Sequence, residues 1–199
     1  MYNIEIVHWE VYMEHVEPIR DRKKLNAMKK YLKGSRKRDW CLFVLGINSG
    51  LRISDLLRLT VGDVLDEHGK VVGRISLREK KTGKAKSFPI SDTAKKAIAE
   101  YLENEIRRNK PLFPSRKGDG SILRCQAYKI INSAARAVGI KDRIGTHTLR
   151  KTFGYHAYQS SVDIAILQKI FNHSAPSVTL RYIGITQDDM DEVYLNLNL

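Results

Sequence analysis

Four residues in the last third of the chain have side chains that could do chemistry. They are two histidines, an arginine and a tyrosine. His147 and Arg150 stand three apart, which places them on one face of a helix. His173 follows a segment whose apolar residues are spaced to lie on one face of a helix. Tyr182 lies near the end of a further helical segment, which Gly184 can terminate. Together these side chains predict a cationic pocket that holds a phosphate beside a tyrosine hydroxyl. The chemistry alone does not choose Tyr182 over Tyr155 and Tyr158, which lie closer to Arg150 in sequence.

A second set of charged residues lies upstream. Arg52 follows a glycine turn and is flanked by apolar residues, which predicts a partly buried guanidinium that Asp55, three residues later, can hold. The alternative is a surface ion pair that contributes only about 0–1 kcal/mol. A basic turn between two short strands predicts a lysine-rich hairpin, with the candidates Lys80, Lys81 and Lys84. Spacing alone does not choose among these lysines.

The positive charge of the chain is concentrated away from its two ends. The 199 residues carry a net charge of +13, yet residues 1–20 hold four Glu against one Arg, and residues 183–199 hold four acids and no base. A basic body between acidic ends predicts a polyanion partner, and nucleic acid is favoured over a merely solubilising surface. No apolar run approaches the length of a membrane span, and no secretory leader is recognisable.

The composition is that of one folded domain in a reducing compartment. Hydrophobic residues make up 42% and charged residues 29% of the chain, whose length suffices for one substantial core. The two cysteines, Cys41 and Cys125, fall in apolar helical patterns. We therefore expect two free, buried thiols in a cytoplasmic protein.

Periodicity and capping residues predict a mainly helical α+β fold with one small antiparallel sheet. Asp92 is the predicted N-cap of a long helix. The predicted helices are residues 21–32, residues 38–48, the stretch from Asp92 to Arg107 and Arg108, residues 124–138, and the segments that carry His147, His173 and Tyr182. Short strands are predicted at residues 71–77 and 87–90, on either side of the lysine-rich turn.

Five motifs occur in the order and at the spacing seen in tyrosine recombinases, the phage integrase family. They are Ser49-Gly50-Leu51-Arg52-Ile53-Ser54-Asp55, Lys81-Thr82-Gly83, His147-Thr148-Leu149-Arg150, Phe171-Asn172-His173 and Leu180-Arg181-Tyr182-Ile183. Any one of them arises readily by chance, but five in order form a specific signal. Residues 21–185 therefore resemble the catalytic domain of integrases from phages and conjugative elements, and less specifically that of chromosome-dimer and fimbrial-switch recombinases.

The resemblance implies a nucleophile and two phosphate clamps. Tyr182 forms a 3′-phosphotyrosyl link to DNA and releases a 5′-hydroxyl, while Arg52 and Arg150 hold the non-bridging phosphate oxygens. Guanidinium groups suit this task because they stay charged and bind such oxygens with two N–H groups. A tyrosine has a reference pKa near ~10, so it needs cationic surroundings or a base to attack at neutral pH.

The remaining site residues follow from the same resemblance. Lys81 protonates the departing 5′ oxygen, with Lys80 and Lys84 as competitors. His147 either handles the tyrosine proton or binds the phosphate. His173 donates a hydrogen bond to the phosphate, and Asp55 orients Arg52. Further contacts to the DNA backbone are expected from Lys80, Lys84, Lys151 and Arg181.

The implied partners are double-stranded DNA, a homotetramer on DNA and accessory DNA-bending proteins, with no cofactor, metal or membrane. Residues 1–20 are expected to form an N-terminal extension or the remnant of a linker, and residues 21–185 the catalytic domain. Residues 186–199, with a helix from Gln187 to Asn196, are expected to dock on a neighbouring protomer; the alternative is that they fold back on their own domain. About fifty residues precede Arg52, which fits an excised catalytic domain or a natural short member.

Two other functions remain open at this point. A non-catalytic DNA-binding protein would use the same basic face only to hold phosphates. A type IB topoisomerase-like enzyme would use the same chemistry to relax DNA without choosing a sequence. A zinc site at His147, His156 and His173 is disfavoured, because the chain has neither an H-E-x-x-H motif nor a cysteine pair at ligand spacing. The sequence favours a site-specific recombinase, associated with the bacterial nucleoid when it is on DNA.

Overall fold

The structure is a computed structural model that describes residues 16–103 and 107–197. Within those residues the chain is mainly helical and has one two-stranded antiparallel sheet, as expected. The elements are α1 (Arg22–Ser35), α2 (Lys37–Ser49), α3 (Ile53–Leu56), β1 (Arg74–Arg78), β2 (Ala85–Pro89), α4 (Asp92–Tyr101), α5 (Arg124–Ala137), α6 (Thr146–Gln159), α7 (Ile164–Phe171), α8 (Pro176–Ile183) and α9 (Gln187–Asn196). A single 3₁₀ turn spans Val61–Asp63.

The first two helices form where apolar spacing predicted them. The Asp21 carboxylate accepts hydrogen bonds from the amides of Lys23 and Lys24, which satisfies two N–H groups that have no partner inside α1. Helix α2 is buried along most of its length and ends at Gly50, whose φ of 59° lies in the left-handed region that glycine adopts without strain.

Helix α2 is the centre of the core, packed against α1, α4 and α6. Two glycines allow helices to approach closely. A Cβ atom at Gly46 would lie 2.5 Å from Leu149 of α6, and one at Gly154 of α6 would lie 2.6 Å from Phe171 and 2.6 Å from Ile183. Helix α6 is therefore fixed between α2 on one side and the ends of α7 and α8 on the other.

The hairpin pairs β1 and β2 in antiparallel register, from Arg74 opposite Pro89 to Arg78 opposite Ala85. Both strands lie within one to three residues of the predicted positions. The Gly83 amide donates to the Glu79 carbonyl oxygen at 2.9 Å, and the φ of 67° at Gly83 closes the turn that carries the lysines.

The fourth helix departs from its prediction at both ends. Its N-cap is Ser91, whose hydroxyl accepts from the Ala94 amide at 3.4 Å, rather than Asp92. The helix ends at Tyr101 instead of continuing to Arg107 and Arg108. Beyond residues 104–106, which are outside the described part, the carbonyl oxygen of Arg108 accepts from the Gly62 amide at 2.8 Å. The backbone of Arg108 is thus hydrogen-bonded to a residue far away in sequence.

The two cysteines differ from each other. Cys41 is fully buried, as expected, and burial raises the pKa of its thiol. Cys125 is free but exposed, so the expectation of a second buried thiol is wrong. It lies in the first turn of α5, on the outward side of the helix, while Ala127 faces the core.

The predicted N-terminal extension lies largely outside the described residues, which begin at residue 16. Its last residues pack on the domain: Ile19 is buried, and its amide donates to the Thr152 hydroxyl at 2.9 Å. Among the helices of residues 16–103 and 107–197, none combines the length and the apolar character that crossing a membrane requires.

Candidate active site

Arg150 is the most firmly held cation of the site. It lies in α6 with 2% exposure; its Nη1 donates to the Gly50 carbonyl oxygen and its Nη2 to the Phe171 carbonyl oxygen, the latter at 2.8 Å. Its Cζ atom lies 4.5 Å from the centroid of the Phe171 ring. Burial lowers the pKa of Arg150, but an arginine remains charged. The guanidinium is thus fixed between the ends of α2 and α7.

Arg52 is held by a carboxylate from the hairpin. Arg52 caps α3 in an extended conformation, and its Nη1 lies 2.9 Å from Oε2 of Glu79, whose side chain is 4% exposed. The same carboxylate oxygen accepts from the Thr82 hydroxyl at 2.7 Å. Burial on its own would raise the pKa of Glu79, but Thr82 and Arg52 outweigh it and hold that pKa below its usual value.

Asp55 does not make the contact expected of it. Its Oδ1 accepts from the Lys80 amide at 2.8 Å, while its buried Oδ2 has no hydrogen-bond partner among the described residues. Two residues three apart face each other only when both lie within a helix, and Arg52 precedes α3 with extended backbone angles. Asp55 therefore ties the lysine-rich turn to α3, and Glu79 takes the position beside Arg52.

The predicted hairpin lysines are exposed. Lys80 and Lys81 are at the turn, and Lys84 Nζ donates to Oδ1 of Asn172 at 2.7 Å. Asn172 adopts a left-handed conformation, with a φ of 54°, at the end of α7. One hairpin lysine is thus fastened to the segment that leads into His173.

Lys86 is a functional candidate that the sequence reasoning missed. Its Nζ donates to the Ile170 carbonyl oxygen at 3.1 Å. Burial, followed by the charge of Arg150, lowers the pKa of Lys86 to about 8. The signal was the alternation of β2, in which Lys86 and Phe88 share the inward face because successive residues of a strand point to opposite sides.

His147 lies in the first turn of α6, beside a second residue that was not among the candidates. Its Nε2 is 3.1 Å from Nη2 of Arg124, the first residue of α5. Burial lowers the pKa of His147 to about 4, and the nearby charge that contributes most is that of Arg124. The imidazole is therefore neutral at physiological pH.

His173 contacts the nucleophile candidate directly. Its Nδ1 lies 3.1 Å from the Thr179 hydroxyl, and its ring centroid lies 4.9 Å from that of Tyr182 with the planes at 70°. Burial, then Arg150 and Arg52, lower the pKa of His173 to about 4.

Tyr182 approaches the cationic cluster within its own subunit. Its ring and the Arg150 guanidinium pack against the same Phe171 ring. Burial raises the pKa of the phenol, while the charges of Arg150 and Arg52 oppose that rise. The Phe171 ring packs against the Tyr182 ring with centroids 5.5 Å apart. The pKa of Tyr182 therefore lies above its usual value in the DNA-free protein, because burial outweighs the two guanidinium groups.

The two remaining backbone-contact candidates lie in different environments. Lys151 is buried, and its Nζ lies 5.4 Å from the centroid of the Tyr182 ring. Arg181 is exposed. Lys151 thus adds positive charge next to the phenol, whereas Arg181 is open to solvent beside it.

The histidines of the zinc alternative do not come together. His156 Nε2 lies 2.9 Å from the Ile19 carbonyl oxygen, whereas His147 and His173 contact Arg124 and Thr179. In residues 16–103 and 107–197, no three His, Cys, Asp or Glu side chains form a group that could hold a metal ion. What the arrangement offers instead is a tyrosine hydroxyl among guanidinium and ammonium groups, which suits a phosphoryl group that gains negative charge.

Comparison with known proteins finds integrases and recombinases that match most of the chain. The phage integrase family matches residues 20–188. The probable integrase/recombinase YoeC of Bacillus subtilis is 47% identical over 182 residues, covering 92% of this chain and 97% of its own length. Tyrosine recombinase XerC of Thermodesulfovibrio yellowstonii is 30% identical over 166 residues, covering 79% of this chain. The match spans 53% of that XerC, about half of its length.

Solved structures share the fold at low identity. The crystal structure of XerA recombinase superposes with a TM-score of 0.74 at 20% identity, covering 93% of this chain and 66% of that one. The post-cleavage complex of XerH site-specific recombinase, bound to its palindromic difH substrate, gives a TM-score of 0.68 at 18% identity and covers 92% of this chain and 54% of that one.

Proposed function

The chain belongs to the phage integrase family, and on that premise we propose that it is a site-specific DNA recombinase that uses Tyr182 as its nucleophile. The observation that carries the proposal is the position of Tyr182 in one subunit: its ring packs against Phe171 and His173, and the Arg150 guanidinium packs against the same Phe171 ring. A mere DNA-binding surface has no need to desolvate a tyrosine beside two arginines.

In the proposed reaction, the Tyr182 hydroxyl gives its proton to solvent, and its oxygen attacks the scissile phosphorus of a DNA strand. A bond forms between that oxygen and phosphorus as the bond from phosphorus to the 5′ oxygen breaks, which leaves a 3′-phosphotyrosyl link. The departing 5′ oxygen takes a proton and becomes a hydroxyl. Attack by the 5′-hydroxyl of another strand reverses these steps and rejoins the DNA. The phosphodiester's energy is kept in the covalent link, so the proposal includes no nucleotide.

The cations have distinct tasks in this proposal. Arg52 and Arg150 hold the non-bridging oxygens as negative charge develops on them, and this charge stabilisation is the task that a metal ion performs in other phosphoryl-transfer enzymes. Lys81, on the exposed turn, is the expected proton donor to the 5′ oxygen. Lys86 is a second candidate, because its pKa of about 8 suits donation near neutral pH.

The histidine next to the nucleophile also has a task. A hydroxyl can donate or accept, so Thr179 can donate to Nδ1 of His173. In that tautomer Nε2–H of His173 is the donor to a phosphate oxygen.

A double-stranded DNA partner is supported by the net charge of +13 and by the DNA-bound structures that share the fold. Binding to phosphates releases counterions, so affinity falls steeply as salt rises. A flat plot of log affinity against log salt concentration contradicts a basic DNA-binding surface. The homotetramer on DNA, the accessory bending proteins and the cytoplasmic, nucleoid-associated location remain predictions.

The tail, residues 186–199, is proposed to dock on a neighbouring protomer. Helix α9 leaves Tyr194 83% exposed and Leu195 75% exposed, which is unusual for large apolar side chains. A groove with a volume of about 460 Å³ lies between α1, α2 and α6. Its lining includes Leu25, Phe153 and the cationic Lys29, which suit the apolar and acidic side chains of such a tail.

Covalent trapping tests the proposed function. A DNA duplex nicked close to the cleavage point loses the short 5′-hydroxyl fragment, so an enzyme that cuts it stays attached through Tyr182. We expect a protein–DNA adduct that resists denaturant with the wild type and none with Tyr182→Phe. If the protein only binds DNA, neither the wild type nor Tyr182→Phe forms an adduct. A topoisomerase-like enzyme gives adducts and relaxes plasmids without a target site.

A further inference from the structure

We infer that Arg124 is a positioning residue that fixes the tautomer of His147, with the ring proton on Nδ1. The inference concerns His147, and its importance for catalysis rests on the proposed function. It extends the site to α5, from which no site residue was expected.

The contact joins two elements that are held together independently. The Asn132 side-chain amide of α5 donates to the Ile144 carbonyl oxygen at 2.9 Å, just before α6 begins. The Thr148 hydroxyl accepts from the Gly145 amide at 3.0 Å, which caps the start of α6. Helix α5 is therefore tied to the segment that leads into α6, and Arg124 Nη2 lies 3.1 Å from His147 Nε2.

The chemistry of a guanidinium decides the direction of this hydrogen bond. Arginine has N–H donors, no acceptor, and a charge that it does not lose in proteins. Its Nη2 can only donate, so Nε2 of His147 must present its lone pair. In a neutral imidazole one nitrogen carries the proton and the other accepts, so the proton of His147 is on Nδ1.

The surroundings keep His147 in the neutral form that this hydrogen bond requires. Positive groups face it from three directions: Arg124 of α5, Arg150 and Lys151 of α6, and Arg52 before α3. Burial and these charges lower the pKa of His147 to about 4. A protonated ring would place two cations in contact.

This tautomer selects between the two roles open to His147. The lone pair of Nε2 is already shared with Arg124, and Nδ1 carries a proton. The ring therefore acts as a hydrogen-bond donor to a substrate oxygen through Nδ1, rather than as the base that removes the proton of Tyr182.

Nitrogen NMR of the full chain tests the inference without DNA. With histidine labelled by ¹⁵N, ring signals distinguish the two tautomers and the protonated form, and His147→Gln identifies the signals of His147. We expect the Nδ1–H tautomer and titration near pH 4 in the wild type. Arg124→Met should give a mixture of tautomers and a higher pKa. Arg124→Lys should keep the pKa low and retain the Nδ1–H tautomer, because an ammonium is also a donor without an acceptor.

Two controls separate positioning from general effects. Lys129→Met removes an exposed charge from the same helix and should leave the His147 signals unchanged. His173, whose pKa depends on burial, Arg150 and Arg52, should titrate as in the wild type in Arg124→Met, which shows that the site is still folded. Unchanged His147 signals in Arg124→Met overturn the inference, and so does an equal change in Lys129→Met.

The pH profile of covalent trapping gives a second readout. Adduct formation by Arg124→Met should be reduced relative to the wild type at neutral pH, where only part of the neutral ring carries its proton on Nδ1. The ratio of the two rates should rise as the pH falls, because a protonated ring again donates through Nδ1. An identical pH profile for the two proteins overturns the inference. If the wild type forms no adduct on any candidate junction, the proposed function fails, while the tautomer measurement still decides the role of Arg124.

Discussion

Glu79 and Arg52 join the hairpin to the phosphate-binding cluster, with Oε2 of the carboxylate 2.9 Å from Nη1 of the guanidinium. The same turn is held by the Asp55 carboxylate at the Lys80 amide. Two buried carboxylates from different segments thus bring the turn that carries Lys81 next to Arg52.

Glu79→Gln should destabilise the protein, because it leaves Arg52 without a charged partner in a nearly enclosed site. Loss of one member of a buried ion pair costs about 3–5 kcal/mol. Urea denaturation at pH 7 measures the loss. The pKa of Glu79 is held below its usual value, so the carboxylate's contribution is present above about pH 4.3 and fades as the pH falls through the folded-state pKa.

A matched control for this change is Glu103→Gln, which removes a carboxylate from a surface pair with Lys37. Exposed pairs contribute about 0–1 kcal/mol, so a small effect is expected there. Equal losses for Glu79→Gln and Glu103→Gln contradict a special role for Glu79.

His147→Gln should flatten the acid side of the stability profile of the DNA-free protein. The folded-state pKa of His147 is about 4, and the unfolded-state value is near ~6.5. Between these values the unfolded chain binds more protons, so stability falls as the pH falls, by roughly 1 kcal/mol per pH unit for one such group. Urea denaturation from pH 7 to pH 4 measures the slope, with His68→Gln, an exposed histidine, as the control. A slope that His147→Gln leaves unchanged contradicts a neutral, buried imidazole.

Lys81→Met and Lys86→Met separate the two candidate proton donors. Loss of a general acid slows cleavage by about 10²–10⁴-fold. A substrate with sulfur in place of the 5′ oxygen needs no such acid, because a thiolate is a far better leaving group. Cleavage rates on the two substrates identify the donor as the lysine whose loss is rescued by sulfur. If the sulfur substrate rescues neither variant, both lysines act only by binding phosphate.

Lys86→Met should also stabilise the DNA-free protein. The pKa of Lys86 is lowered to about 8 by burial and by Arg150, so its charge opposes folding at pH 7. The urea midpoint should rise in this variant and stay unchanged in Lys81→Met, whose side chain is exposed. A fall in the midpoint shows that the bond from Lys86 to the Ile170 carbonyl oxygen outweighs the cost of the buried charge.

Removal of residues 186–199 should abolish assembly on DNA while leaving Tyr182-dependent trapping of single protomers intact. Native gel shifts and analytical ultracentrifugation with a junction substrate measure assembly. Lys29→Glu, in the groove between α1, α2 and α6, should weaken assembly because it repels an acidic tail. Lys95→Glu makes the same charge change on α4 and serves as the control. Normal assembly after removal of the tail shows that it packs on its own domain.

Several parts of the fold could be predicted because they depend on neighbours along the chain. Asp21 caps α1, Gly50 and Gly184 end α2 and α8 in left-handed conformations, and the apolar spacing of α1 faces the core. Helix α9 was predicted with the bounds that it has. Capping and periodicity act within a few residues, so the sequence displays them directly.

Predictions that required a partner farther away were less successful. The fourth helix stops at Tyr101 because the chain beyond it pairs with residues 61 and 62. Asp55 was matched to Arg52 by its distance in sequence, but Glu79, from the other side of a hairpin, has that place. Spacing along a chain does not reveal a contact that depends on how a strand packs against a helix.

By itself, the sequence determined the fold class and the identities and order of the candidate residues from Arg52 to Tyr182, because both are written in local spacing and motif. Only the tertiary structure decided the partners of those residues: Glu79 for Arg52, Ile170 for Lys86 and Arg124 for His147. The physical reason is that charges and hydrogen bonds act over a few ångströms of space, whichever part of the chain supplies the atoms.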